Sequence, residues 1–191
     1  NESHSLDTQH ALTQHALAHA PNYNAWLLDS IDGALADARR VLDVGCSIGN
    51  LSQLAATRLR QRAPGEDAAR VVGLEIIPAA AAEFRKRWGG RSDLAVIEGS
   101  IIEPPDALRG EAPFDAAICF NVLEHVEEDV AALSRIRSLL KPGGRLGLIV
   151  PGGGDTLYGS LDSLDRHYRR YTPARLRSRL ERAGFEVLDL R

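Results

Sequence analysis

The sequence predicts a doubly wound α/β fold on a mostly parallel sheet, and three observations predict it. After Arg40, short apolar strands alternate with amphipathic helices, the pattern of a parallel sheet covered on both faces. A glycine-containing turn, Gly45-Cys46-Ser47-Ile48-Gly49, joins the first of those strands directly to a helix. A chain of 191 residues, 44% hydrophobic and 26% charged, has the size and balance of one soluble domain.

The elements follow in order. The stretch to Ala20 is polar and carries His4, His10, His15 and His19. His15 and His19 would share a helix face, but no third ligand stands at useful spacing, so a solvated face is expected and no metal. From Pro21 a helix is expected, with Trp26, Leu27, Ile31 and Leu35 at helical intervals. Strands are expected at Val41–Gly45, Val71–Glu75, Leu94–Glu98, Phe114–Phe120, Arg145–Val150 and Phe185–Leu190. Helices are expected near Asn50–Gln61, Pro78–Trp88, Val126–Leu140 and Pro173–Ala183. Glu127, Glu128 and Asp129 would begin the third of these, Lys141 close it and Pro142-Gly143-Gly144 stop it, as the helix dipole prefers. Thr172 before Pro173 is an N-cap followed by proline at the first helical position.

Composition narrows the partners. A formal charge of −3 gives no basic footprint for nucleic acid, and no such partner is expected. No apolar run approaches the roughly 20 residues of a membrane span, and no secretory signal opens the sequence. A cytoplasmic location is expected, with Cys46 and Cys119 as reduced core thiols. Methionine is absent even at position 1, so the natural chain is expected to begin upstream.

The glycine turn carries the chemistry. Gly45 and Gly49 let the backbone approach a ligand beyond the carboxyl ends of the strands. Asp43, two residues earlier, would oppose a phosphate but suits a cationic amine. The turn matches neither G-x-G-x-x-G nor the G-x-x-x-x-G-K-[ST] phosphate loop, which argues against a nicotinamide-dependent oxidoreductase. An amino-acid nucleoside is the expected ligand. Glu75, ending the second strand, can accept both ribose hydroxyls, and Ile76 can wall a purine.

These residues together resemble the class I S-adenosylmethionine-dependent methyltransferases, in particular the small-molecule group with ubiquinone-biosynthesis-type enzymes, from about Tyr23 onward. Asp43-Val44-Gly45-Cys46-Ser47-Ile48-Gly49 is similar to that family's first motif, D/E-x-G-x-G-x-G, with Ser47 in place of the middle glycine. Glu75 matches its ribose-binding acid. Glu98-Gly99-Ser100 stands where the family has Gly-Asp, so adenine recognition would fall to Ser100 and the Ile101 backbone. Phe114 to Val126, with Asn121-Val122-Leu123-Glu124-His125 at its end, is similar to the fourth strand and its loop. There Asn121 and Val122 would lie beside the cofactor's methionine and His125 would face the acceptor. Leu139 to Leu146 resembles the turn into the fifth strand.

The resemblance implies a Rossmann-like sheet of order 3-2-1-4-5-(7)-6. The seventh strand is missing from this sequence, so the chain is expected to continue past Arg191. It also implies two regions: 1–40, a helical segment covering the cofactor, and 41–191, the methyltransferase domain with an acceptor-side insertion around 152–172. Tyr23-Asn24-Ala25-Trp26 resembles the covering helix of a bacterial subgroup often found near glycosyltransferases. The expected cofactor contacts are Tyr23, Asp43, Gly45, Cys46, Ser47, Gly49, Asn50, Glu75, Ile76, Ser100, Ile101, Asn121 and Val122.

The implied activity is methyl transfer to a small-molecule, glycan-linked or lipid-linked acceptor at a hydroxyl; the oligomeric state is open. His125 is the first candidate base, with an intrinsic pKa near neutrality, or else a hydrogen-bonding histidine at a helix start. His167 is the second. It sits among Tyr158, Tyr168, Arg169, Arg170 and Tyr171, which would orient an acidic or sugar-like acceptor or else pack on the sheet edge. The alternative is an S-adenosylmethionine-binding accessory protein with impaired catalysis, suggested by Ser47 and Ser100. A nucleic-acid methyltransferase is disfavoured, since Asn121-Val122-Leu123-Glu124 replaces the Asn/Asp-Pro-Pro-Tyr/Phe motif.

Overall fold

Five parallel strands stand in the order β3-β2-β1-β4-β5 in the computed structural model, which describes residues 20–62, 64 and 69–191. In chain order the elements are α1 (Pro21–Ser30), α2 (Asp32–Leu35), β1 (Arg40–Val44), α3 (Asn50–Arg62), β2 (Arg70–Glu75), α4 (Pro78–Trp88) and β3 (Leu94–Glu98). Then come α5 (Asp106–Glu111), β4 (Phe114–Phe120), α6 (Asp129–Leu139), β5 (Leu140–Ile149), α7 (Ser160–Leu164) and α8 (Pro173–Arg182). The paired histidines His15 and His19 lie outside the described residues.

The strands are apolar on both faces because both are covered. Leu42, Val44, Val72 and Ala117 pack with α6 and α8 residues such as Leu133, Ile136 and Leu176. Val41, Val71, Ala116 and Ile118 point the other way, onto Ala55, Leu59, Phe84 and the α1 leucines Leu27 and Leu28. Alternation along each strand therefore feeds two cores, one per face. All pairings are parallel, with Val44 beside Leu74 and Cys119 and with Glu75 beside Glu98, so the strand tips share one end. The order reverses at β1, whose neighbours β2 and β4 lie on opposite sides; a crevice for ligands opens at such a point.

Four expectations are corrected. Phe185–Leu190 forms no strand. Phe185 and Leu190 pack on the core as the apolar pattern requires, but among the described residues no strand flanks β5 on its outer side to pair with. The helix expected from Val126 begins at Asp129, because Leu123–His125 first makes a 3₁₀ turn. β5 begins at Leu140 instead of Arg145: Lys141 to Gly144 bulge out between the Phe114–Leu140 and Ala116–Arg145 pairs, and Lys141 Nζ reaches Asp115 at 2.8 Å. Trp26 is 58% exposed rather than facing the core, while Leu27, Leu28 and Leu35 are buried. Thr172 caps α8 as expected, its hydroxyl accepting from the Arg175 N–H at 3.1 Å. No helix among the described residues is long and apolar enough to cross a membrane.

Candidate functional site

The loop after β1 is held from three sides. Gly45 and Cys46 donate their N–H groups to Leu74 O, tying the turn to β2. Trp88 Nε1 donates to Ile48 O at 2.9 Å, and Gly49 lies so close to the Phe84 and Trp88 rings that a Cβ there would strike them. Gly45, Ser47 and Gly49 have φ of 71°, 50° and 84°, left-handed values that explain two glycines and leave Ser47 in a conformation L-residues avoid. A Cβ on Gly45 would collide with the Val122 side chain, so the loops after β1 and β4 are in close contact over the crevice.

Three buried carboxylates lie at or just beyond the carboxyl ends of β1, β2 and β4. Glu75 is buried, and its two oxygens accept from Ser47 N at 2.7 Å and Ile77 N at 2.8 Å. Asp43 is buried beneath the loop and accepts from the Ser52 hydroxyl at 2.5 Å. Burial raises its pKa to about 7, with Ser52 opposing and the Glu75 charge adding to the rise. Burial likewise pushes the Cys46 and Cys119 thiols up, so both are inert core groups, as expected. Glu124 is fully buried, and neither of its oxygens has a hydrogen-bond partner among the described residues. Burial raises its pKa to about 7.

Ile76, Ser100, Ile101, Asn121 and Val122 follow the carboxyl ends of β2, β3 and β4. Ile76 is 65% exposed, as a wall for a planar ring requires. Ser100 accepts from Ile102 N at 3.2 Å, which fixes the turn after β3, and Ile101 is buried. Asn121, at φ 51°, ends β4 with its N–H on Ile149 O. Asn50 opens α3 beside the loop. Tyr23 and Trp26 stack at 5.9 Å on the exposed side of α1. The Ser47 hydroxyl is buried without a partner among the described residues, an orphan donor within the loop itself.

Residues 152–170 leave the sheet at Pro151 and return at Tyr171, where Tyr171 N donates to Pro151 O at 2.9 Å. The returning strand of chain is bolted to the 3₁₀ turn. Arg169 is buried and donates to Val126 O at 2.6 Å and Glu127 O at 2.8 Å, with Asp129 at 3.3 Å. The buried Tyr171 hydroxyl lies 3.3 Å from Leu123 O and 3.2 Å from Asp129. Arg170 pairs with buried Asp162 at 2.8 Å and holds that carboxyl well below the usual range; Asp162 also takes His167 Nδ1 at 2.9 Å. Of the basic and aromatic cluster read from the sequence, Arg169, Arg170 and Tyr171 are thus committed to internal contacts, while Tyr168 is 54% exposed. His125 and His167 do come together, ring centroids 4.6 Å apart and edge to face.

Sequence reasoning passed over Ser52, Trp88, Glu124 and Asp162. Each acts on a partner distant in the sequence or is buried by one, except Asp162, whose five-residue offset from His167 was a readable signal. Two depressions elsewhere, one lined by Pro104, Arg109 and Arg135 and the other by Asp37, Asp115 and Lys141, sit at the amino ends of the strands, away from this chemistry.

Comparison with known proteins gives the family and the fold. A family model described as a methyltransferase domain matches residues 12–190. A ubiquinone biosynthesis O-methyltransferase of Xylella fastidiosa is 35% identical over 113 residues, covering 56% of this chain and 39% of that enzyme, so the chain spans well under half of that relative. A solved S-adenosylmethionine-bound amino pentose methyltransferase of Micromonospora echinaspora, involved in calicheamicin biosynthesis, is 30% identical. It has a TM-score of 0.51, covering 70% of this chain and 56% of that one. The magnesium protoporphyrin IX methyltransferase of Synechocystis PCC 6803, solved with S-adenosylhomocysteine, shares the fold. Its TM-score is 0.61 at 23% identity, over 90% of this chain and 74% of that one.

Proposed function

The chain belongs to the methyltransferase-domain family, in its class I branch, and from that premise we propose that it methylates a hydroxyl of a small-molecule, glycan-linked or lipid-linked acceptor using S-adenosylmethionine. The observation that carries this reading is Glu75. It is a buried acid at the tip of β2 whose oxygens are held by N–H groups on both sides, 2.7 and 2.8 Å away, at the mouth of the left-handed loop. That arrangement presents a carboxylate to a ribose without freedom to swing.

The residues present fit the cofactor. The glycine cradle at Gly45 would be filled by a Cβ, and the orphan Ser47 hydroxyl awaits a polar partner. Asp43, with Asn50 and the Cys46–Gly49 backbone, would receive the amino-acid end, an ammonium drawing the proton off Asp43. Ile76, Ser100 and Ile101 would hold the purine; Asn121 and Val122 would flank the methionine chain. Tyr23, on α1, would close over it, giving residues 1–40 their covering role; its exposed stack with Trp26 supports this. When bound, the sulfonium supplies an electrophilic methyl, so the protein's task is alignment, exclusion of water and removal of one proton. His167, oriented through Nδ1 by Asp162, or the adjoining His125 would take that proton; their edge-to-face contact beside Asp162 supports the reading.

Ser47 does not speak for an impaired relative: it adopts the left-handed backbone that the glycine it replaces would take, so the loop keeps its shape. The test is transfer of labelled methyl from S-adenosylmethionine to a panel of hydroxylated acceptors, beside calorimetric titration with S-adenosylhomocysteine. Binding without transfer to any acceptor would favour the accessory reading, and absence of binding would remove both.

A further inference from the structure

The sequence reading names no metal, yet the fold brings Glu124, His125 and His167 together, one ligand atom from each lying within 4.8 Å of the others. We propose that these three side chains form a divalent-cation site, suited to a first-row transition ion such as zinc, with an open side toward the methyl acceptor.

Four features support it. Glu124 is fully buried with neither oxygen partnered among the described residues, an unfavourable arrangement unless a cation or donor completes it. His167 gives Nδ1 to Asp162 at 2.9 Å, which leaves Nε2 as the atom with a free lone pair. Asp162 is itself fixed by Arg170 at 2.8 Å and by the Gly159 N–H at 2.8 Å, the carboxylate–histidine support that metal-ligating imidazoles commonly have. Two imidazoles and one carboxylate are the donor set of open zinc and related sites, and the exposure of His125 leaves the fourth position accessible. Bonds of 2.0–2.1 Å in a tetrahedral set put ligand atoms about 3.3 Å apart, so the three atoms, now within 4.8 Å of one another, must draw closer when a cation binds.

The site stands on geometry alone, whereas its role rests on the methyl-transfer reading. With a cation bound, His125 and His167 would act as its ligands and not as bases, and the cation would take over that task by lowering the pKa of an acceptor hydroxyl. The hydroxyl proton goes to solvent or a neighbouring base, the oxygen–methyl bond forms, the carbon–sulfur bond breaks and sulfur leaves neutral. No oxidant or reductant is needed.

The experiment uses the full chain, stripped with chelator and titrated with zinc alone, with cobalt(II) absorption as a second signal and S-adenosylhomocysteine calorimetry run in parallel. One zinc per chain is expected, with affinity falling at least tenfold in Glu124→Gln and His167→Gln and about 10- to 100-fold in Asp162→Asn. S-adenosylhomocysteine affinity should stay within threefold in the same variants. His125→Ala, at an exposed position, keeps the test valid should the buried variants misfold, and it should also lose zinc affinity. Zinc that fails to bind the wild type at micromolar concentration, or binds Glu124→Gln and His125→Ala as tightly, would overturn the proposal. Zinc binding with no S-adenosylhomocysteine binding would uphold the site and sink the methyltransferase reading instead.

Discussion

Replacing Ser47 by glycine should stabilise the ligand-free protein and weaken its hold on the cofactor. At φ 50° the serine is in a left-handed conformation that costs an L-residue about 1–2 kcal/mol. Its buried hydroxyl lacks a partner among the described residues, a further cost of about 1–3 kcal/mol. Glycine removes both and returns about 0.5–1 kcal/mol through its greater freedom in the unfolded chain. Taking the lower ends, the net gain is about 1.5 kcal/mol, which in a chain of this length raises Tm by about 3–6 °C. Loss of the hydroxyl's bond to the ligand should cost about two- to tenfold in S-adenosylhomocysteine affinity. Thermal unfolding and calorimetry on wild type, Ser47→Gly and Ser47→Ala separate the contributions, because alanine drops the hydroxyl but keeps the left-handed backbone. A glycine variant no more stable than wild type would refute the strain assignment. One that binds the ligand with unchanged affinity would refute the contact.

Gly45→Val should abolish S-adenosylhomocysteine binding, since its side chain must displace Val122 from a left-handed position; calorimetry showing retained affinity would move the cofactor elsewhere. With its pKa raised to about 7, Asp43 keeps its proton in the fold where the unfolded chain, near 3.9, has lost it. Its contribution to ligand-free stability therefore declines as pH rises from about 4 to about 7. Asp43→Asn, which cannot ionise beside Glu75, Cys46 and Cys119, should flatten that part of a Tm-against-pH curve, and an unchanged slope would count against the assignment. Arg169→Ala should lower stability by about 2–4 kcal/mol in urea, because it strips Val126 O and Glu127 O of their donor and leaves buried Asp129 short of a cation. A loss below 0.5 kcal/mol would mean that the anchor is dispensable.

What the sequence made legible was whatever depends on near neighbours. Short continuous apolar runs located four strand cores to within a residue, and Thr172-Pro173 marked the start of α8. An apolar run reports burial and not pairing, so Phe185–Leu190 read as a strand although none among the described residues ladders with it. Pro142-Gly143-Gly144 read as a stop between elements, whereas β5 accommodates it as a bulge. The glycine loop and Glu75 were legible because residue type alone constrains them. Glu124 was not: beside Glu127 and Glu128 it reads as one more solvated charge. Its burial comes with a segment some forty residues later, whose Tyr168 N–H bonds to Glu124 O at 2.8 Å.

That later segment starts and finishes at one doorway, where Gly152 and Tyr171 are bridged side by side and Arg169 locks the return. A stretch of chain so tethered can be lengthened or reshaped before Asp162 while the five-stranded frame and its glycine turn keep their positions. On the proposed methyl-transfer reading, engineering a new acceptor preference should therefore begin by grafting residues 153–161 between these fixed posts, leaving Asp162 and His167 in place.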